Sequence, residues 1–152
     1  MLTSGCSTGV AGTPVAELWD PCTIPSEAIA AAGVDPTVVD VRSVGREDNK
    51  WRYCTFRQDW FYLTIYSTSH SLTDLRDEPR AFEPLDRVVR GRAGITYRDS
   101  AQPLGSTCYT SVATRFGAVE FEVQQAANAA TTGDTCERSA SLADRLVGEL
   151  PE

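Results

Sequence analysis

Thr107–Gln125 reads TCYTSVATRFGAVEFEVQQ, and the fold class turns on it. Thr107 to Thr114 and Ala118 to Gln125 are β-branched and aromatic runs on either side of Arg115-Phe116-Gly117, whose glycine suits the left-handed position of a three-residue turn. In the second run Val119, Phe121 and Val123 alternate with Glu120, Glu122 and Gln124, which predicts a strand with one buried and one wet face. Downstream, Asp134 or Thr135 is placed to cap a helix from Cys136 to Leu150, with Glu137 supporting the cap. Cys136, Ala140, Ala143, Val147 and Leu150 fall on one helical stripe, flanked by Leu142 and Leu146.

Working upstream, Trp51 to Arg57 and Trp60 to Ser67 are two more strand-like runs joined at Gln58-Asp59, an antiparallel hairpin with a tight connection. Phe61, Leu63 and Ile65 share one face of its second strand, and Trp60, Tyr62, Thr64 and Tyr66 the other. Pro25 to Ala32 predicts a short helix stopped by Gly33, and Thr37 to Val44 a valine-rich strand. Thr68 to Arg92 carries interspersed charges with Pro79 and Pro84, which argues against a long regular element, and its part from Thr68 to Arg87 is expected to be a loop able to act as a lid over the hairpin. Val88 to Asp99 predicts a strand pair or a bent strand around Gly91 and Gly94. The expected architecture is α+β: an antiparallel sheet of about five to six strands with an N-terminal short helix and a C-terminal helix packed on it. Residues 16–152 form its single domain, and residues 1–15 form a lipobox remnant and tether.

The 152 residues carry fourteen basic and twenty-one acidic side chains, a net charge of −7 that disfavours nucleic acid as a partner. There are five cysteines and no CxxC pair, with His70 the single histidine, so no metal site is expected. Four cysteines read as two structural disulfides formed outside the cytoplasm. Cys136 on the inner helix stripe lies in reach of Cys108, which opens the hairpin immediately upstream, leaving Cys22 to pair with Cys54. Cys6 closes the run Leu2-Thr3-Ser4-Gly5-Cys6 ahead of a Ser/Thr/Gly/Pro stretch, which resembles a bacterial lipobox with lipid on Cys6. Only five residues precede Cys6, fewer than a secretory signal needs, so a trimmed or misplaced start is expected.

The ordered set Gly5-Cys6, Asp20-Pro21-Cys22, Tyr53-Cys54, Val89-Arg90-Gly91-Arg92-Ala93, Cys108 and Asp134-Thr135-Cys136 resembles the actinobacterial lipoproteins of the domain-of-unknown-function 3558 family. It departs from that pattern at Cys54-Thr55-Phe56, where the family usually has Cys-x-Trp. The resemblance implies an envelope lipoprotein on the outer face of the cytoplasmic membrane, with a PsbP-like scaffold and no established activity.

Catalytic signatures are lacking. His70 sits in a Ser/Thr-rich segment with no Gly-x-Ser-x-Gly elbow in the chain, and Glu47-Asp48 and Asp77-Glu78 lie in charged runs that read as solvated surface. Gly91-Arg92-Ala93-Gly94 lacks the elements of a phosphate loop, so no cofactor is expected. Arg87, Arg90, Arg92 and Arg98 read as strand arginines paired with neighbouring acids, with anionic lipid or glycan groups as the alternative partners. Trp51, Tyr53, Trp60, Tyr62 and Tyr66 remain as candidate ligand-binding residues, either core beneath a helix or an open amphipathic platform. The expectation is a non-enzymatic, lipid-anchored binding or accessory module for an apolar or glycan-like ligand or an envelope protein. The alternative is a secreted interaction or inhibitor domain, and a hydrolase ranks below both.

Overall fold

The computed structural model describes residues 18–39 and 49–152. Its centre is a six-stranded antiparallel sheet in the order β1-β2-β6-β5-β4-β3. The strands are β1 (Trp51–Gln58), β2 (Phe61–Thr68), β3 (Ala81–Val89), β4 (Arg92–Asp99), β5 (Thr107–Thr114) and β6 (Gly117–Gln125). Three helices accompany it: α1 (Ser26–Ala31), α2 (Leu72–Arg76) and α3 (Thr135–Leu146), with 3-10 turns at Pro21–Thr23 and Val147–Glu149. This is the α+β architecture expected from the alternating runs. Cys6 and the tether expectation lie outside the described residues. So does most of the Thr37–Val44 strand, of which Val38 bridges Phe56 and the Val39 amide donates to the Thr55 carbonyl at 2.9 Å.

One sheet face is packed by α1 and α3. Phe61, Leu63, Ile65, Phe121 and Val123 from the central strands meet Ile29 of α1, Val34 just after it, and Leu142, Ala143 and Leu146 from α3, all buried. Asp134 caps α3, its carboxylate accepting from the Cys136 and Glu137 amides at 2.9 and 3.0 Å. The inner stripe of α3 lies one residue round from the predicted one. Ser139, with Leu142, Ala143 and Leu146, faces the sheet, and Ala140 is only half-buried. The buried Ser139 hydroxyl donates to the Phe121 carbonyl at 2.8 Å and sits 2.9 Å from the Thr110 hydroxyl, so a polar side chain occupies an apolar stripe at no cost in unmet hydrogen bonds.

Cys22–Cys54 and Cys108–Cys136 are disulfide-bonded, with Cα atoms 5.2 and 5.0 Å apart. The pairing is the one expected. Each bridge ties an element near one end of the chain to a strand: the Pro21–Thr23 turn to β1, and the start of α3 to β5.

The turns differ in detail from their sequence reading. Thr114 pairs directly with Gly117, so the β5–β6 loop has two residues, Arg115-Phe116, and Gly117 opens β6 with φ +148°. A Cβ there would run into the Thr68 carbonyl, so close approach of backbone requires the glycine in addition to its positive φ. Gln58 pairs with Phe61, placing Asp59 (φ +46°) and Trp60 in the β1–β2 turn. Val89 pairs with Arg92 across Arg90-Gly91, both at positive φ, the geometry of a type I′ hairpin turn.

The largest correction concerns Thr68 to Arg92. Instead of an irregular loop, this segment holds α2 and the nine-residue β3. Pro84 is accommodated because β3 is an edge strand and its register shifts between Phe82 and Leu85, with Glu83 at φ +51°. A proline penalises only a ladder amide, and at an edge bulge none is needed.

Candidate functional site

The sheet face opposite α1 and α3 has its own composition, fixed by strand parity. β1 supplies Trp51 and Tyr53, β2 supplies Tyr62 and Tyr66, β6 supplies Glu120 and Glu122, β5 supplies Tyr109 and Ser111, and β4 supplies Ile95, Tyr97 and Asp99. β2 and β3 lie four strand positions apart, and α2 belongs to the segment that joins them across this face. Its Leu75, 0% exposed, packs with Tyr66, Ile95, Tyr97 and Tyr109.

Beneath α2 the tyrosines and carboxylates interlock. Glu120, 0% exposed, accepts from the Tyr97 hydroxyl and from the Ser111 hydroxyl at 2.8 Å. Glu122 accepts from Tyr66 at 3.3 Å, and Asp99 from Tyr109 at 3.4 Å with the Arg80 guanidinium 3.8 Å away. Tyr97 and Tyr109 stack at 4.8 Å between centroids. Tyrosine serves here because its ring fills apolar space while its hydroxyl reaches a carboxylate that would otherwise be buried at a cost of several kcal/mol, roughly 2–7 even for a neutral polar group. This corrects the wet face predicted for Glu120 and Glu122. Alternation distinguishes the two faces of a strand but not a solvated polar face from a buried polar one. The signal that could have found it is the recurrence of tyrosine at matching parity on β2, β4 and β5.

The candidate aromatics divide between the two faces. Tyr66 is buried, and Trp51, Tyr53 and Tyr62 are half-buried, all on the α2 face. Trp51 meets Tyr66 edge-on at 5.8 Å, Tyr53 lies 5.8 Å from Tyr66, and the Arg57 guanidinium sits over the Tyr62 ring at 4.8 Å while donating to its hydroxyl at 3.0 Å. Trp60 does not join them. As a turn residue it folds to the helix side against Phe61 (5.0 Å), and a Cβ on Gly133 would lie 2.5 Å from its ring. The cavity it borders, about 360 Å³, is lined by Gly133, Asp134, Glu137 and Arg138 and contains none of the other four aromatics.

His70 packs on Trp51 with ring centroids 5.4 Å apart and places Nδ1 3.8 Å from the exposed Asp74 carboxylate, a pairing across the start of α2. Of the arginine stripe, Arg90 meets Asp144 at 3.4 Å, whereas Arg92 donates to the Ala113 and Pro151 carbonyls at 2.8 Å each rather than to an acid. Among the described residues no group of three or more His, Cys, Asp or Glu is arranged to hold a metal ion.

α2 is five residues long and depends on its cap. The Ser71 amide donates to the Asp74 carboxylate at 2.9 Å, and the Asp74 amide donates to the Ser71 hydroxyl at 3.1 Å. The Ser71 backbone bond, then the Ser71 side chain, holds the Asp74 pKa below its ordinary 3.8. A carboxyl with a depressed folded-state pKa contributes its stability above the ordinary value and loses it as pH falls through the lowered one. Amide exchange at Leu75 and Arg76 should therefore accelerate below about pH 4 ahead of exchange in β5 and β6, and an Asp74→Asn variant should show no such early step. Simultaneous loss of protection in all three elements would show that the cap does not control α2.

The fold and this face define a class: a disulfide-braced α+β domain with an apolar core on one side of its sheet and a tyrosine–carboxylate layer on the other. Within that class, the chain belongs to the family described as protein of unknown function DUF3558, whose family model matches residues 1–149. No curated protein and no solved structure matches the chain. The two disulfides indicate an oxidising, extracytoplasmic setting. No helix among the described residues is long and apolar enough to cross a membrane.

Proposed function

We propose that the protein is a non-enzymatic binding module of the cell envelope, anchored through a lipid on Cys6, that receives a glycan-like or apolar ligand on the aromatic edge of the α2 face. The observation that carries this is the half-burial of Trp51 and Tyr53 on the face opposite the helical core, where both rings lie 5.8 Å from Tyr66 and keep accessible surface, with half-buried Tyr62 further along the same face. Rings of this kind stack on the C–H faces of a sugar or on an acyl chain while their polar atoms stay wet. Arg57, bonded to the Tyr62 hydroxyl, adds a fixed donor beside that ring.

Intact mass of native protein recovered from membranes tests the anchor, which requires a lipid mass on Cys6; an unmodified cysteine there ends that part of the reading. Binding is tested by tryptophan fluorescence during titration with a panel of neutral oligosaccharides and a fluorescent fatty acid. Trp51→Ala should weaken the saturating ligand at least tenfold, about 1.4 kcal/mol. Equal binding by Trp51→Ala, or no saturation by any probe, would contradict the site. The alternative of a protein-interaction domain draws on β3, whose Leu85 and Val88 are 67% and 77% exposed at the sheet edge. In that case Leu85→Lys, and not Trp51→Ala, would abolish capture of the partner.

A further inference from the structure

The hairpin turns at one end of the sheet form a basic and apolar tip on an acidic protein. The β5–β6 turn presents Arg115 and Phe116, the latter 59% exposed with the Arg115 guanidinium 5.7 Å from its ring centre. The β3–β4 turn presents Arg90, with Val88 just before it on β3. Between the α3 end of the molecule and these strands runs an open groove of about 670 Å³, with Val147, Leu150 and Ala113 along it and Arg92 and Arg115 at its sides. Asp144, paired with Arg90, and Glu152, beside the groove, are acids at this end.

The register fixes where the rest of the chain meets this tip. Trp51 pairs with Thr68, Thr68 with Ala118 and Ala118 with Ala113, so the first residues of β1 lie in the same end row as the Arg115-Phe116 turn. Arg52 donates to the Leu18 carbonyl at 3.3 Å and to Asp20 at 2.8 Å, which brings the start of the described chain to that row. The β1 edge and the β5–β6 turn are two to three strand spacings apart, about 10–15 Å. Eleven residues lie between Cys6 and Leu18, a span of at most about 40 Å. A lipid on Cys6 and the arginine–phenylalanine tip can therefore meet one bilayer.

We propose that this tip docks on an anionic phospholipid surface, with Phe116 and Val88 entering the headgroup layer and Arg90 and Arg115 facing its phosphates. The orientation rests on the lipid-anchor reading, whereas the affinity of the tip does not. Charge complementarity selects the occupant: the molecule carries −7 overall, so a surface that attracts it must be met through its local cations, and membranes with anionic headgroups reward such residues by about 1 kcal/mol each.

The test uses the full chain carrying Cys6→Ser, so that no lipid is attached, in cosedimentation with vesicles of phosphatidylglycerol and phosphatidylcholine in equal parts, against pure phosphatidylcholine. Binding is expected to the anionic vesicles at low salt and to fall as salt rises, since exposed charges are screened within about 10 Å at 0.1 M. Arg115→Ser should reduce the partition coefficient about fivefold, and Phe116→Ser about tenfold. Leu104→Ser, which removes an 81% exposed side chain from the opposite end of the sheet, should leave it unchanged. Absence of binding to anionic vesicles, equal binding to neutral ones, or an equal loss with Leu104→Ser would overturn the proposal. None of these outcomes bears on the mass of native Cys6, and an unmodified Cys6 leaves the vesicle result standing.

Discussion

Replacing Cys108 and Cys136 together by serine should lower the stability of the folded protein by about 3–4 kcal/mol and its Tm by about 10 °C. The bridge spans 28 residues of sequence. Much of its effect is the removal of conformations from the unfolded chain, since a loop of that length costs that much to close. A native-state contribution adds to it: Cys108 is 0% exposed in β5, and the bridge holds the first turn of α3 on the sheet, from which Ser139 and Leu142 then pack. Thermal unfolding followed by circular dichroism, with the Cys22–Cys54 bridge intact, measures this. A loss below about 1 kcal/mol would mean that the α3 interface, not the bond, fixes the helix. The Cys22–Cys54 pair should differ in kinetics, because Cys22 is exposed and a reductant can reach it in the folded state.

The second large effect belongs to Glu120. Glu120→Ala removes the acceptor shared by the buried Tyr97 and Ser111 hydroxyls, at about 1–3 kcal/mol for each hydrogen bond lost there. A total near 3–4 kcal/mol is expected from urea unfolding. Glu120→Gln, which keeps an acceptor oxygen and the side chain's shape, should recover more than half of it. If the glutamine variant were as unstable as the alanine one, the negative charge rather than the hydrogen bonds would carry the effect, and the other contacts of Glu120 would dominate.

The hairpins and the capped α3 were legible because each rests on a local rule, strand alternation, turn residues, or a cap ahead of an apolar stripe, and the disulfides followed from the placement of Cys108 and Cys136 on those elements, with Cys22 and Cys54 left to pair. Three features were not, for one shared reason. Trp60, Glu120 and the Thr68–Arg92 segment take their environment from chain segments distant in sequence. Trp60 obeys the parity of β2 on paper, yet a turn placed one residue later lifts it off the ladder and turns it to Gly133. Glu120 reads as solvent-facing until the fold brings the Tyr97 hydroxyl of β4 to it, with Leu75 of α2 packed on the tyrosines. Charges and two prolines hide β3 because an edge strand needs only half of its backbone paired. Of the candidate site, the aromatic set was visible as residues, while its division between the two faces was fixed only by the fold.

The position of β6 between β2 and β5 bears on how the molecule is made. A chain that emerges N-terminus first completes the β1–β2 ribbon early, and can close Cys22–Cys54 with it, but that ribbon has no inner neighbour until Gly117–Gln125 arrives. Until then β2 offers a long unsatisfied edge, a hazard for mispairing with other chains. The final quarter of the polypeptide thus acts as the keystone, and truncation upstream of residue 117 should leave two disconnected β-ribbons rather than a smaller version of the same domain.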